Sequence, residues 1–138
     1  MSFFKNKKSK EVKEIKWKIN NRCLTLIIES SKSVYPREFG GFLRVDDEDK
    51  HLISEVVLIP GTISGDSHAI FKLHMLPVDF NIVGTVHSHP SPSANPSKAD
   101  LELFRKQGKI HIIMAFPFNK ESWKAYYGNG NQTTIEII

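Results

Sequence analysis

The stretch VGTVHSHPSPSANPSKADLELF, residues 83–104, decides how the rest of the chain is read. It sets out His87, His89, Ser97 and Asp100 in the order His-x-His, seven residues, Ser-x-x-Asp. In an extended strand, side chains two apart share a face and lie roughly 6.6 Å apart along it, so both imidazoles can converge on one ion. The run after Pro90 is rich in Ser, Pro and Asn and reads as a loop that turns the chain back. Asp100 then returns as a third ligand on the first turn of a helix. Two imidazoles and a carboxylate suit Zn²⁺, and three protein ligands leave one position open for water, the mark of a catalytic rather than a structural site.

The same residues carry plainer readings. A lone histidine is more often a satisfied, partly buried side chain. Ser97-x-x-Asp100 before an apolar run also reads as a helix capping box, with Ser97 as N-cap. The capping box does not compete with metal binding, because a capped helix start is a rigid place to hold a ligand.

Working outward, Ile82–Val86 is an apolar run that suits a central strand covered on both faces, with Gly84 omitting a side chain on the face opposite the histidines. Residues 98–107 predict a short helix, and 110–116 a second buried strand. Trp123, Ala125 and Tyr127 alternate up to the turn sequence Gly128-Asn129-Gly130-Asn131, after which 133–138 is expected to return as a hairpin strand. Upstream, alternation predicts a strand over 12–19, capped by Asn20 or Asn21 before an amphipathic helix over 22–34 that Pro36 ends. Two apolar runs, 41–45 and 52–59, flank the acidic cluster 46–49 and predict a hairpin; the cluster lacks the Gly and distal Glu of a calcium loop. Residues 60–67 read as a loop and 68–74 as a further strand. His51, His68, His74 and His111 have no ligand spacing and read as surface or structural histidines.

The segments GTVHSHP (84–90), PSKAD (96–100) and PREFGGFL (36–43) resemble the signature of the MPN/JAMM metalloprotease family. That family includes deubiquitinating subunits of the proteasome lid and archaeal proteases that remove ubiquitin-like modifiers. The similarity covers roughly residues 20–138. The short stretch HMLPVDF (74–80) has no room for the full helix of the larger eukaryotic relatives and resembles the compact archaeal members. The resemblance implies an α/β fold, a curved mixed β-sheet flanked by helices of the cytidine-deaminase-like type. It also implies one Zn²⁺ held by His87, His89 and Asp100, with Glu38 as general base beside the activated water and Ser97 as a donor to the developing oxyanion. The implied substrate is an isopeptide or peptide bond at the C-terminus of a ubiquitin-like modifier. A peptidase processing a sulfur-carrier precursor would need the same five residues. An idle interaction scaffold of the same fold, or a metal-storing protein with no use for Glu38, are the rivals from other classes.

At 138 residues the chain has the size of one domain, expected over 19–138 behind a basic extension, 1–18, that partly forms the first strand. The extension holds seven lysines against Glu11 and Glu14, so it accounts for the net charge of +4, and a nucleic-acid-binding face is not expected. Cys23 is the single cysteine, which excludes an internal disulfide framework and reads as a small core residue. No stretch approaches the roughly 18 apolar residues needed to span a bilayer, and no apolar segment follows the lysine-rich start. A cytoplasmic protein without membrane partners is the expectation; composition says nothing of its oligomeric state.

Overall fold

The structure, a computed structural model, describes residues 15–59 and 79–138. The loop and strand expected over 60–74, with His68 and His74, lie outside the described residues, as do positions 12–14 of the expected first strand.

The described part of that strand, β1 (Trp17–Ile19), buries Trp17 and Ile19 and leaves Lys18 half-buried, as alternation requires. The Asn20 side chain then accepts a hydrogen bond from Cys23 N at 2.8 Å and starts helix α1 (Asn21–Val34). The helix buries Leu24, Ile27, Ile28, Ser31 and Val34, one face at helical spacing. Ser31, the polar member of that face, donates its hydroxyl proton to the Ile27 carbonyl at 2.8 Å, which removes the cost of burying it. Cys23, in the first turn, is also buried, and desolvation, with the nearby Glu55 charge, pushes its thiol up to about 12, so it is a core residue and not a nucleophile.

Strands β2 (Gly40–Val45) and β3 (Leu52–Leu58) form the expected antiparallel hairpin. Its turn is held by Asp46, whose carboxylate accepts from Glu48 N and Asp49 N, while Asp49 pairs with Lys18. Strand β4 (Ile82–His89) runs antiparallel to β2 and parallel to β5 (Ile110–Ala115), the crossover being made by helix α2 (Lys98–Lys106). Strand β6 (Trp123–Tyr127) pairs antiparallel with β5.

The chain's end departs from expectation. Only β7 (Gln132–Thr133) returns along β6; after Thr134, strand β8 (Ile135–Ile137) pairs in parallel with β1 at the other end of the sheet. The strand order is β7-β6-β5-β4-β2-β3-β1-β8. Its two terminal strands are therefore separated by one residue, and the sheet must curl until its edges meet. Burial of Ile135 with Trp17 and Ile19 rewards that crossing.

The two faces of the sheet are distinct. Ile110, Ile112 and Met114 pack with the apolar face of α1, whereas Ile113 and Ala115 pack with Phe104 of α2 and with Tyr126. Full burial contributes roughly 1.5–3 kcal/mol for each such side chain. On β4, Val86 belongs to the α1 side, which turns His87 and His89 toward α2. At Gly84 a Cβ would lie 1.5 Å from the Ile110 carbonyl oxygen, so the close approach of β5 admits only glycine. The mixed sheet with a helix on each face is the α/β architecture expected.

Candidate metal centre

Strand β4 continues through both histidines to its last residue, so the regular pleat presents the two rings on one face with centroids 5.1 Å apart. Opposite them stands the start of α2. Ser97 is its N-cap: the Ser97 hydroxyl accepts from Asp100 N at 3.0 Å and the Asp100 carboxylate accepts from Ser97 N at 2.9 Å. This reciprocal capping locks the Asp100 rotamer and aims the carboxylate at β4. Asp100 Oδ1 lies 3.0 Å from His87 Nε2, and Asp100 Oδ2 lies 3.1 Å from His89 Nε2. His87 and Asp100 are fully buried, and His89 is partly exposed.

One donor atom from each of these three residues lies within 4.8 Å of the others. Bonds of 2.0–2.1 Å in a tetrahedral zinc site separate ligand atoms by about 3.3 Å, so the observed spacing and the donor set fit zinc. His89 Nδ1 sits 2.9 Å from the Ser93 carbonyl. A carbonyl only accepts, so Nδ1 carries the proton and Nε2 is the atom left for an ion. Burial lowers the His89 pKa, but the Asp100 hydrogen bond, the Ser93 carbonyl and the charges of Asp100 and Glu38 outweigh it and hold it above the ordinary value. Two anionic groups that favour a proton here also favour a cation.

Glu38 lies beside the same ring. Gly40 is paired with His87, and Phe39 and Ser88 bond next to them: Ser88 N donates to the Phe39 carbonyl at 3.0 Å, and Phe39 N donates to the Ser88 hydroxyl at 2.8 Å. Glu38 follows one residue further along, and its charge acts on His89. Tyr35, three residues earlier, packs on Phe116 and Phe118 with ring centroids 5.1 and 5.7 Å away, and Phe116 N donates to the carbonyls of His89 and Ser91. The segment 35–39 is thus tied to the end of β4 at both of its ends. Glu38 precedes His87 by 49 residues and Ser97 by 59, yet its charge acts on His89, while Ser97 caps the helix whose Asp100 meets both rings.

Sequence reasoning passed over the supports. Tyr126, buried on β6, donates its hydroxyl proton to the Ala94 carbonyl at 2.8 Å and so pins the loop joining His89 to Ser97. Burial, together with the Asp100 charge, raises the Tyr126 pKa. His111 is buried and stacked 4.5 Å from Phe104; its Nε2 donates to the Gly108 carbonyl at 3.2 Å, and its Nδ1 accepts from the Thr85 hydroxyl at 2.7 Å. It is the structural histidine expected. No local signal marks Tyr126, because its contact spans 32 residues.

The chain belongs to the family of prokaryotic homologs of the JAB domain, whose sequence profile matches residues 20–126. A protein of Haloferax volcanii described as a probable metalloprotease is 33% identical to it over 123 residues, covering 84% of this chain and 76% of its own length. A JAB1/MPN domain protein from Archaeoglobus fulgidus has a crystal structure that superposes with a TM-score of 0.70 at 34% identity, covering 91% of this chain and 99% of that one. A structure described as a metalloprotease-like JAMM zinc site in the proteasome and signalosome superposes with a TM-score of 0.69 at 34% identity, over 90% of this chain and 99% of that one. The compact JAMM reading of the motif and the α/β fold both stand. Among the described residues, no helix is long and apolar enough to cross a membrane.

Proposed function

We propose that the protein is a zinc-dependent metalloprotease that hydrolyses an isopeptide or peptide bond at the C-terminus of a ubiquitin-like modifier. The observation that carries this reading is the convergence of His87, His89 and Asp100 donors at a strand end where the Glu38 charge is felt by His89. The similarity to a probable metalloprotease and to a JAMM zinc-site structure supports the hydrolytic class. A bound zinc ion would supply Lewis acidity, bringing the pKa of a coordinated water from 15.7 to about 7.

The protein's own groups do the rest. His87, His89 and Asp100 hold the cation, and the Ser93 carbonyl keeps His89 in the tautomer that ligates. Glu38 takes a proton from the attacking water and returns it to the leaving amine, a role worth typically about 10²–10⁴ in rate. The exposed Ser97 hydroxyl spends a lone pair on Asp100 N, which leaves its proton for the oxygen of the scissile carbonyl. One such donor contributes roughly 2.7–4 kcal/mol to the transition state. The modifier class rests on family likeness, and a sulfur-carrier precursor is the alternative substrate with the same chemistry.

The test is incubation of zinc-loaded protein with a panel of lysine-linked and linear ubiquitin-like fusions, with Glu38→Gln as control. Cleavage by the wild type, lost in Glu38→Gln while zinc stays bound and abolished reversibly by a chelator, is the expected result. Turnover indifferent to chelation, or undiminished in Glu38→Gln, would refute it.

A further inference from the structure

Ser88 sits between the two metal-binding histidines, on the opposite face of β4, and is 1% exposed. In a regular antiparallel pair, Phe39 and Ser88 would exchange two backbone bonds. One is made, from Ser88 N to the Phe39 carbonyl at 3.0 Å; the Phe39 N–H turns instead to the Ser88 hydroxyl at 2.8 Å. A side-chain oxygen thus stands where a ladder carbonyl would, at the point where the chain leaves β2 and carries Glu38 past His89. Such an acceptor fixes the direction in which the backbone departs, and hence where the next carboxylate falls.

We infer that Ser88 is a positioning residue: its buried hydroxyl, through the Phe39 amide, sets the place of Glu38 relative to the ion held by His87 and His89. This rests on the function proposed above and adds to it a specific mechanical link between the ligand strand and the base. The bond lies on the face away from the metal ligands, so the link acts on the base without altering the ligand set. A misplacement of about 1 Å in a catalytic group costs about 100-fold in rate.

The test compares Ser88→Ala, Ser88→Cys and Ser88→Thr with the wild type, full chain throughout. Three quantities are read: zinc affinity by competition with a chromophoric chelator, hydrogen exchange of the Phe39 amide in the metal-free and zinc-loaded protein, and kcat and KM on a substrate that the wild type cleaves. Expected in Ser88→Ala are unchanged zinc affinity, faster Phe39 exchange, and a kcat reduced about 10- to 100-fold at unchanged KM. Ser88→Cys keeps the volume with a weaker acceptor and should fall between, carrying the test if the alanine variant does not fold. Ser88→Thr keeps the hydroxyl and should restore both exchange and kcat. Unchanged kcat in Ser88→Ala and Ser88→Cys, or a parallel loss of zinc affinity that makes Ser88 a support of the ligands, overturns the inference. If no substrate is cleaved by the wild type, the proposed function falls and takes the catalytic consequence with it; Phe39 exchange then still decides whether the hydroxyl holds the segment.

Discussion

Asp100 Oδ1 and His87 Nε2, both fully buried, face each other at 3.0 Å across the gap between the start of α2 and the end of β4. The second carboxylate oxygen accepts from Ser97 N and reaches His89, so one side chain closes the helix cap and completes the ligand set.

Asp100→Asn separates these duties. An amide keeps one oxygen to accept from Ser97 N but offers no anion to a cation. The variant is expected to fold and to bind zinc at least about 100-fold more weakly, since a ligand is a stronger contributor than the outer partners whose loss costs 10–100-fold. Competition with a chelator measures this, and wild-type affinity in Asp100→Asn would take Asp100 out of the ligand set.

Tyr126→Phe removes one hydroxyl and leaves the buried Ala94 carbonyl without its donor. The expected cost to the metal-free protein is about 1–3 kcal/mol, the range for a buried polar group left unsatisfied. Urea denaturation reads it directly, and an unchanged midpoint would mean that Tyr126 does not secure the loop.

His111 gives the stability a pH dependence of known sign. Burial lowers its pKa to about 4, against the ordinary 6.5, despite the carbonyls of Gly108 and Phe104 that accept from the ring. Between these values the unfolded chain binds the proton and the folded chain does not. Its contribution is therefore complete above pH 6.5 and is lost, at up to about 1.4 kcal/mol per pH unit, as pH falls toward 4. His89, whose pKa is raised, acts in the opposite sense in the metal-free protein, contributing most below its unfolded value and less as pH rises through its folded one. Comparing metal-free wild type with His111→Gln at pH 7.5 and 5 isolates the His111 part: the wild type should lose more stability on acidification than the variant. Equal losses would contradict a buried neutral His111.

Much of this was legible from local pattern. The capping box at Ser97 and Asp100, the helix that Asn20 caps, the hairpin around Asp46 and the buried run through Ile112 depend on neighbours three or four residues away, which periodicity and capping chemistry report. The expected hairpin over 133–138 failed for a non-local reason. Gln132 and Thr133 obey the turn, but Ile135 finds its burial against β1, which no signal within the turn reveals.

By itself, the sequence determined which residues could ligate a cation and on which elements they ride, because strand alternation and helix capping are properties of short segments. Only the tertiary structure decided that the carboxylate of α2 comes within 3.1 Å of both rings, that Phe39, next to Glu38, is tied to Ser88 between the histidines, and that the sheet curls until its edges meet. Those relationships join residues distant along the chain, and only the packing of helices on the two faces of one sheet selects them.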